Sequence, residues 1–196
     1  MSLRNGKSTE PAARESANRL NEELQEREEQ TERFAHLATV RIGLDVEVRH
    51  KSVAALNRML AHSLAIRDLY KKCHWQTSGA TFYQLHLLFD KHYAVQEELV
   101  DAIAERVQLL GGVAQALAPD VVQESRLSRV TRSRETPTAE LNGLLDAHEF
   151  ILKEARALAR EAAQRGDDGT NDLLVSQVIR AHELQTWFIG EHLDGA

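Results

Sequence analysis

From Pro11 to Pro119 the chain runs without a proline, and between residues 43 and 112 its glycines stand only at positions 43, 79, 111 and 112. Proline breaks a helix because it lacks an N–H and collides with the preceding turn; glycine weakens one through its backbone freedom. This punctuation predicts two long helices, at about 45–75 and 81–110, separated by the turn "QTSGA". After Pro137 the run "TAELNGLLDAHEFILKEARALAREAAQ" predicts a third helix to about residue 164, then a stop at "RGDDGT" and a fourth helix at about 171–192. Strand signals are absent, because β-branched residues are scattered and no stretch alternates with period two. The link from Gly111 to Pro137, about 25 residues, is far longer than a tight turn, so a long crossover with a short helix in it is expected to join two helical hairpins. The expected fold is therefore all-α, a four-helix bundle with an N-terminal extension.

At 196 residues and 42% hydrophobic content the chain can bury one sizeable core. The expected division is a charged tail over 1–44 and a bundle over 45–196. In the tail, Arg4, Lys7, Arg14 and Arg19 precede the acidic block "NEELQEREEQTE", which is poor in large apolar groups and reads as a solvated segment or an exposed helix with i to i+4 ion pairs. No apolar run approaches a membrane span, and the N-terminus lacks the apolar core of a signal peptide, so a cytoplasmic location is expected. The lone Cys73 cannot form an internal disulfide. A net charge of −6 excludes a uniformly basic surface, so any contact with nucleic acid would be local.

The second predicted helix carries an apolar stripe of Phe89, Tyr93, Val100, Ile103, Val107 and Leu110, interrupted by Gln96. Beside it runs a second stripe: at 100° per residue, His86, Asp90, Glu97 and Asp101 fall within about 60°, with Glu105 about 40° further round. One reading is a solvated charged face. Against it, the stripe holds no lysine or arginine, and it offers ligand pairs at i and i+4, His86 with Asp90 and Asp101 with Glu105. His74 ends the preceding helix, beside Trp75. The two pairs lie about 22 Å apart along the helix, too far for one centre. Two copies packed antiparallel about a twofold axis near Val95 and Gln96 would set each His86/Asp90 against the Asp101/Glu105 of the other, giving two equivalent metal sites.

The series His74-Trp75, Gly79, Phe82, Leu85-His86, Phe89-Asp90, Asp101, Ala104-Glu105-Arg106 and Leu110-Gly111-Gly112 resembles the signature of the Dps family, the ferritin-like mini-ferritins. A second match is "GDDGTNDLLVSQVIRAHELQTWFIGEHL", similar to the family's Asp-rich turn and final helix. The resemblance spans about 45–193. It implies a hollow dodecamer of ferritin-like bundles that oxidises iron at twofold interfaces, usually with hydrogen peroxide rather than oxygen, and stores the ferric mineral inside. Carried across, His74, His86 and Asp90 come from one subunit and Asp101 and Glu105 from the other, with Trp75 beside the site or acting as a core anchor.

Asp167, Asp168 and Asp172 stand where the family builds a threefold pore for iron, although Asp168 or Asp172 would also serve as a helix cap. Some relatives carry an N-terminal zinc site; His36 and His50, with Glu32, Asp45 or Glu47, are the residues here that would supply one. His148 and His182 each precede a glutamate without forming the Glu-x-x-His pairs of larger ferritins. The alternatives to a ferroxidase cage are a 24-subunit ferritin and a DNA-compacting protein with a secondary iron site. The basic part of the tail is short and followed by acids, so weak or no DNA binding is expected, with Arg126, Arg129, Arg132 and Arg134 of "RLSRVTRSR" as the other phosphate-binding candidates.

Overall fold

A computed structural model describes residues 37–128, 131 and 133–193. Helix α1 spans Val46–Gln76 and opens where the Asp45 carboxylate accepts the Glu47 N–H at 2.8 Å. It ends at Thr77, whose N–H closes on the Cys73 carbonyl, and the chain reverses through Gly79 at φ 90°. Helix α2, Phe82–Leu109, runs back along α1 and stops at Gly111, which takes φ 84°. There the Arg49 guanidinium donates to the Leu110 and Ala38 carbonyls, at 3.0 and 3.2 Å, and the Ala38 N–H donates to the Gly111 carbonyl at 2.8 Å. These bonds draw the chain into the bundle's compact unit from Ala38, ahead of the Asp45 boundary expected from composition.

Among its described residues the crossover contains one short helix, α3, Ala118–Glu124, as its length implied. Helix α4, Pro137–Gln164, begins with Thr136 accepting the Ala139 N–H, and Pro137 sits in the first turn, where its missing donor costs nothing. The last rod is α5, Asp168–Asp172, a π-helical stretch Leu173–Ile179, and α6, Arg180–Gly190. The expected stop at "RGDDGT" is shorter than the composition suggests. Asp167 caps the helix by accepting the Thr170 N–H at 3.0 Å, so Asp168 to Asn171 already lie in the rod.

Among the described residues the secondary structure is entirely helical. α1 and α2 form one antiparallel hairpin, and α4 with the last rod form the other, α4 also packing on α1. Leu56, Met59, Ile66, Phe89, Ile103, Leu144, Ile151 and Leu174 fill the centre. The apolar stripe of α2 faces this core, and Gln96, its apparent interruption, is fully buried with it. No helix of the described residues is long and apolar enough to cross a membrane.

Candidate metal centre

His74, in the last turn of α1, and His86, in the second turn of α2, stack with ring centroids 3.7 Å apart and planes 22° from parallel. Each ring holds the other's backbone: His74 Nδ1 lies 2.9 Å from the His86 carbonyl, and His86 Nδ1 lies 2.9 Å from the His74 carbonyl. A carbonyl only accepts, so both Nδ1 atoms carry the proton and both Nε2 atoms keep their lone pair. This is how metal-binding histidines are oriented. The Phe82 ring lies 5.0 Å from that of His86. Asp90, one turn beyond His86 and half exposed, lies 3.9 Å from His74 Nδ1. Its carboxylate also takes a 2.5 Å hydrogen bond from the Lys71 ammonium, and that contact holds its pKa below the usual carboxylate value. The stripe on α2 has no cation of its own; α1 supplies one.

Asp101 and Glu105 lie one turn apart on the exposed face of α2. The apolar residues between them, Ala102, Ile103 and Ala104, turn toward the core. Glu97 accepts a 2.9 Å hydrogen bond from the Tyr93 hydroxyl. Among the described residues no three His, Cys, Asp or Glu side chains converge on one ion position within a chain. One chain thus carries two separate clusters of side chains able to bind a metal, one with the imidazoles and one with carboxylates alone.

Trp75 is 71% exposed, so it is no core anchor of its own bundle. Asp167 must be removed from the pore candidates. It is fully buried, it caps the last rod, and it pairs with Arg106 Nη2 at 2.6 Å while accepting the Thr170 hydroxyl at 2.7 Å. Gly169 makes room for this pair, since a Cβ there would lie 2.8 Å from Arg106 Nη2. Asp168 and Asp172 are exposed, and Asp172 accepts the Ser176 hydroxyl at 2.6 Å. Of the N-terminal zinc candidates, His36 and Glu32 lie outside the described residues. His50 is half buried on α1, Asp45 is the helix cap, and Glu47 pairs with Lys51 at 3.0 Å. Arg129 and Arg132 also lie outside the described residues, while Arg126 and Arg134 are exposed.

A polar chain in the middle of the bundle went unread in the sequence. The His92 carbonyl accepts from Gln185 Nε2 at 3.3 Å, which turns Gln185 Oε1 toward Gln96 Nε2 at 2.9 Å. Gln96 Nε2 therefore donates, and His182 Nε2, 3.3 Å away, accepts. The His182 proton then sits on Nδ1 and points at His148 Nδ1, 2.8 Å away. His148 must carry its own proton on Nε2 and donates it to the Tyr70 oxygen, and the Tyr70 hydroxyl donates to His92 Nδ1 at 3.2 Å. The chain closes on the residue where it began and ties α1, α2, α4 and α6 together. Burial keeps the imidazoles neutral: His92 is pushed down to about 4, His182 to about 3, and His148 well below its ordinary value. The signal that could have revealed it was Gln96, a polar side chain in the centre of an apolar stripe. Nearby, Glu140 is buried with both carboxylate oxygens unpaired, and burial pushes it up to about 7.

A model of the ferritin-like domain matches residues 53–196. An uncharacterised protein of Kitasatospora aureofaciens is 46% identical over 134 residues, covering 68% of this chain and 89% of that relative. Among solved structures, DpsC from Streptomyces coelicolor has a TM-score of 0.79 at 48% identity, covering 80% of this chain and 91% of its own. Dps from Vibrio cholerae, described as a member of a broad superfamily of ferritin-like diiron-carboxylate proteins, has a TM-score of 0.74 at 28% identity and covers 80% of this chain and 97% of its own.

Proposed function

This chain belongs to the Dps family of ferritin-like proteins, and on that premise we propose that it binds Fe(II) as substrate at sites shared between twofold-related copies, oxidises it, and stores the ferric product in a hollow dodecamer. The observation that carries the reading is the reciprocal lock of His74 and His86, which leaves the Nε2 lone pair of each ring unused, with the Asp90 carboxylate 3.9 Å from His74 Nδ1. Asp101 and Glu105 of the neighbouring copy supply the remaining oxygens. Neutral imidazole and carboxylate suit Fe(II), and the carboxylates offset the charge added on oxidation. The arriving cation displaces the Lys71 ammonium from Asp90, so the half-site is charge-balanced before loading. Hydrogen peroxide is the oxidant we favour over oxygen: two Fe(II) and one peroxide give two Fe(III) and two hydroxides. Trp75 lies next to His74 at the outer surface, and Asp168 and Asp172 are the acids that would draw iron toward a threefold pore.

This function removes peroxide and free Fe(II) together and so protects against oxidative damage in the cytoplasm. DNA binding is weak or absent at physiological salt on this reading, because the few basic residues of the tail are tethered to an acidic block. Zinc at an N-terminal site centred on His36 and His50 is a secondary proposal. Anaerobic loading with Fe(II), followed by peroxide or oxygen and read by ferric absorbance, tests the activity and names the oxidant. Light scattering tests the assembly, since a stable monomer or simple dimer leaves the ligand set or the cage incomplete.

A further inference from the structure

The buried chain through Tyr70 lies apart from the metal half-sites, and the reaction above does not use it. Three imidazoles, a phenol and two amides in the bundle centre cost desolvation that apolar packing would avoid, and such departures from a plain core tend to mark function. Tyr70 precedes His74 by four residues on α1, a separation that places the two side chains one above the other on neighbouring turns. Its ring lies 6.2 Å from that of Phe89, the residue before Asp90. It is fully buried, it receives a hydrogen bond from His148 Nε2, and its own hydroxyl proton points at His92 Nδ1. A phenol yields an electron far more readily when its proton leaves at the same time to a hydrogen-bonded base, because no radical cation has to form. Tyr70 has that base, and a second imidazole that donates to the oxygen left behind.

We propose that Tyr70 is a redox-active residue that holds one oxidising equivalent between the two one-electron steps of peroxide reduction. The proposal rests on the ferroxidase reading. The first Fe(II) reduces peroxide to hydroxide and a one-electron oxidant at the level of the hydroxyl radical, and becomes Fe(III). Tyr70 gives that oxidant an electron, producing the second hydroxide; its O–H bond breaks and the proton passes to His92 Nδ1. A neutral phenoxyl radical remains, still accepting the His148 Nε2–H bond. A second Fe(II) returns the electron and becomes Fe(III), and the proton comes back from His92. Two Fe(II) and one peroxide thus yield two Fe(III) and two hydroxides, and no hydroxyl radical leaves the protein.

The test is freeze-quench electron paramagnetic resonance on the full-length assembly, loaded anaerobically with Fe(II) and mixed with peroxide. The wild type is expected to show an organic radical whose hyperfine pattern changes when ring-deuterated tyrosine is incorporated, and Tyr70→Phe to lose it. The variant should also consume less Fe(II) per peroxide and release hydroxyl-radical spin adducts that the wild type does not. A tyrosyl signal of undiminished intensity in Tyr70→Phe would belong to Tyr83 or Tyr93 and overturn the proposal. So would brisk Fe(II) oxidation by the wild type without a tyrosyl signal at any quench time, a result that needs no variant to fold. Failure of the wild type to oxidise Fe(II) at all, read separately as ferric absorbance, overturns the ferroxidase reading and this proposal with it.

Discussion

His74 and His86 lie on different helices, yet each fixes the other's tautomer: the Nδ1 of either ring donates to the backbone carbonyl of its partner at 2.9 Å. Removing one ring therefore removes a proposed ligand and also releases the other ring from its orientation. His86→Ala is expected to slow Fe(II) oxidation by at least about tenfold, the low end of what loss of a ligand's orienting contact costs. Circular dichroism and particle size should stay close to wild type. Unchanged Fe(II) oxidation would show that the stacked pair is structural.

Lys71 and Asp90 make the second prediction. Fe(II) must displace the ammonium, so Lys71→Met should bind Fe(II) more tightly, by up to about fivefold for an exposed ion pair. The Asp90 carboxylate, no longer held down by Lys71, should titrate at higher pH in the unloaded variant. Isothermal titration under anaerobic conditions checks the affinity; weaker binding would mean that Lys71 holds the carboxylate in place for the metal.

The buried imidazoles set an acid limit. His62 and His92 are pushed down to about 4 and His182 to about 3, mainly by burial, and His148 lies well below its ordinary 6.5. A folded-state pKa below the unfolded value means that the unfolded chain binds more protons, so stability is full above about pH 6.5 and is lost as pH falls toward 4. Glu140 acts in the opposite sense: raised from 4.5 to about 7, it favours the folded state below pH 4.5 and loses that contribution as pH rises through 7. Four histidines against one glutamate leave stability rising with pH between pH 5 and 6. Urea denaturation across that range checks it. Glu140→Gln should stabilise the protein at pH 8 and do little at pH 4.5.

Much of this architecture was legible in the residues. Proline and glycine mark helix ends for reasons that hold whatever surrounds them, so α1, α2 and α4 lie within a residue or two of their expected bounds. The stripe of imidazole and carboxylates was legible as one helix face because i to i+4 spacing alone puts His86 with Asp90 and Asp101 with Glu105. Lys71 was not, since it reaches Asp90 from another helix. Asp167 was misread because a shift of one residue separates a buried cap from an exposed acid, and only the packing of Arg106 decides between them. His182 and Gln185 follow the π-helical stretch Leu173–Ile179, which breaks the 3.6-residue period and spoils any helical wheel carried through it. That is why the polar centre of the bundle escaped notice.

Arg106 and Asp167 yield a prediction about stability apart from chemistry. Arg106→Ala leaves a fully buried carboxylate without its cation and should cost about 3 kcal/mol. Asp168→Ala, on an exposed side chain, should change stability by no more than about 0.5 kcal/mol, yet slow iron uptake into the assembled particle if the pore reading holds. Thermal denaturation and uptake rates measured side by side separate the two roles. Equal uptake by wild type and Asp168→Ala would remove Asp168 from the iron path.

The central claim is that one site is built from two chains, and subunit mixing tests it most directly. Asp90→Ala and Glu105→Ala each disable every site in their own homo-oligomer. In a mixed twofold pair, one site carries both substitutions and the other carries neither. Dissociating the two variants, combining them in equal amounts and reassembling should therefore restore about a quarter of the wild-type sites by random pairing. Fe(II) oxidation by peroxide, per subunit, is the readout. Recovery near that fraction is the expected result; no recovery in a properly reassembled mixture would contradict a site shared between copies.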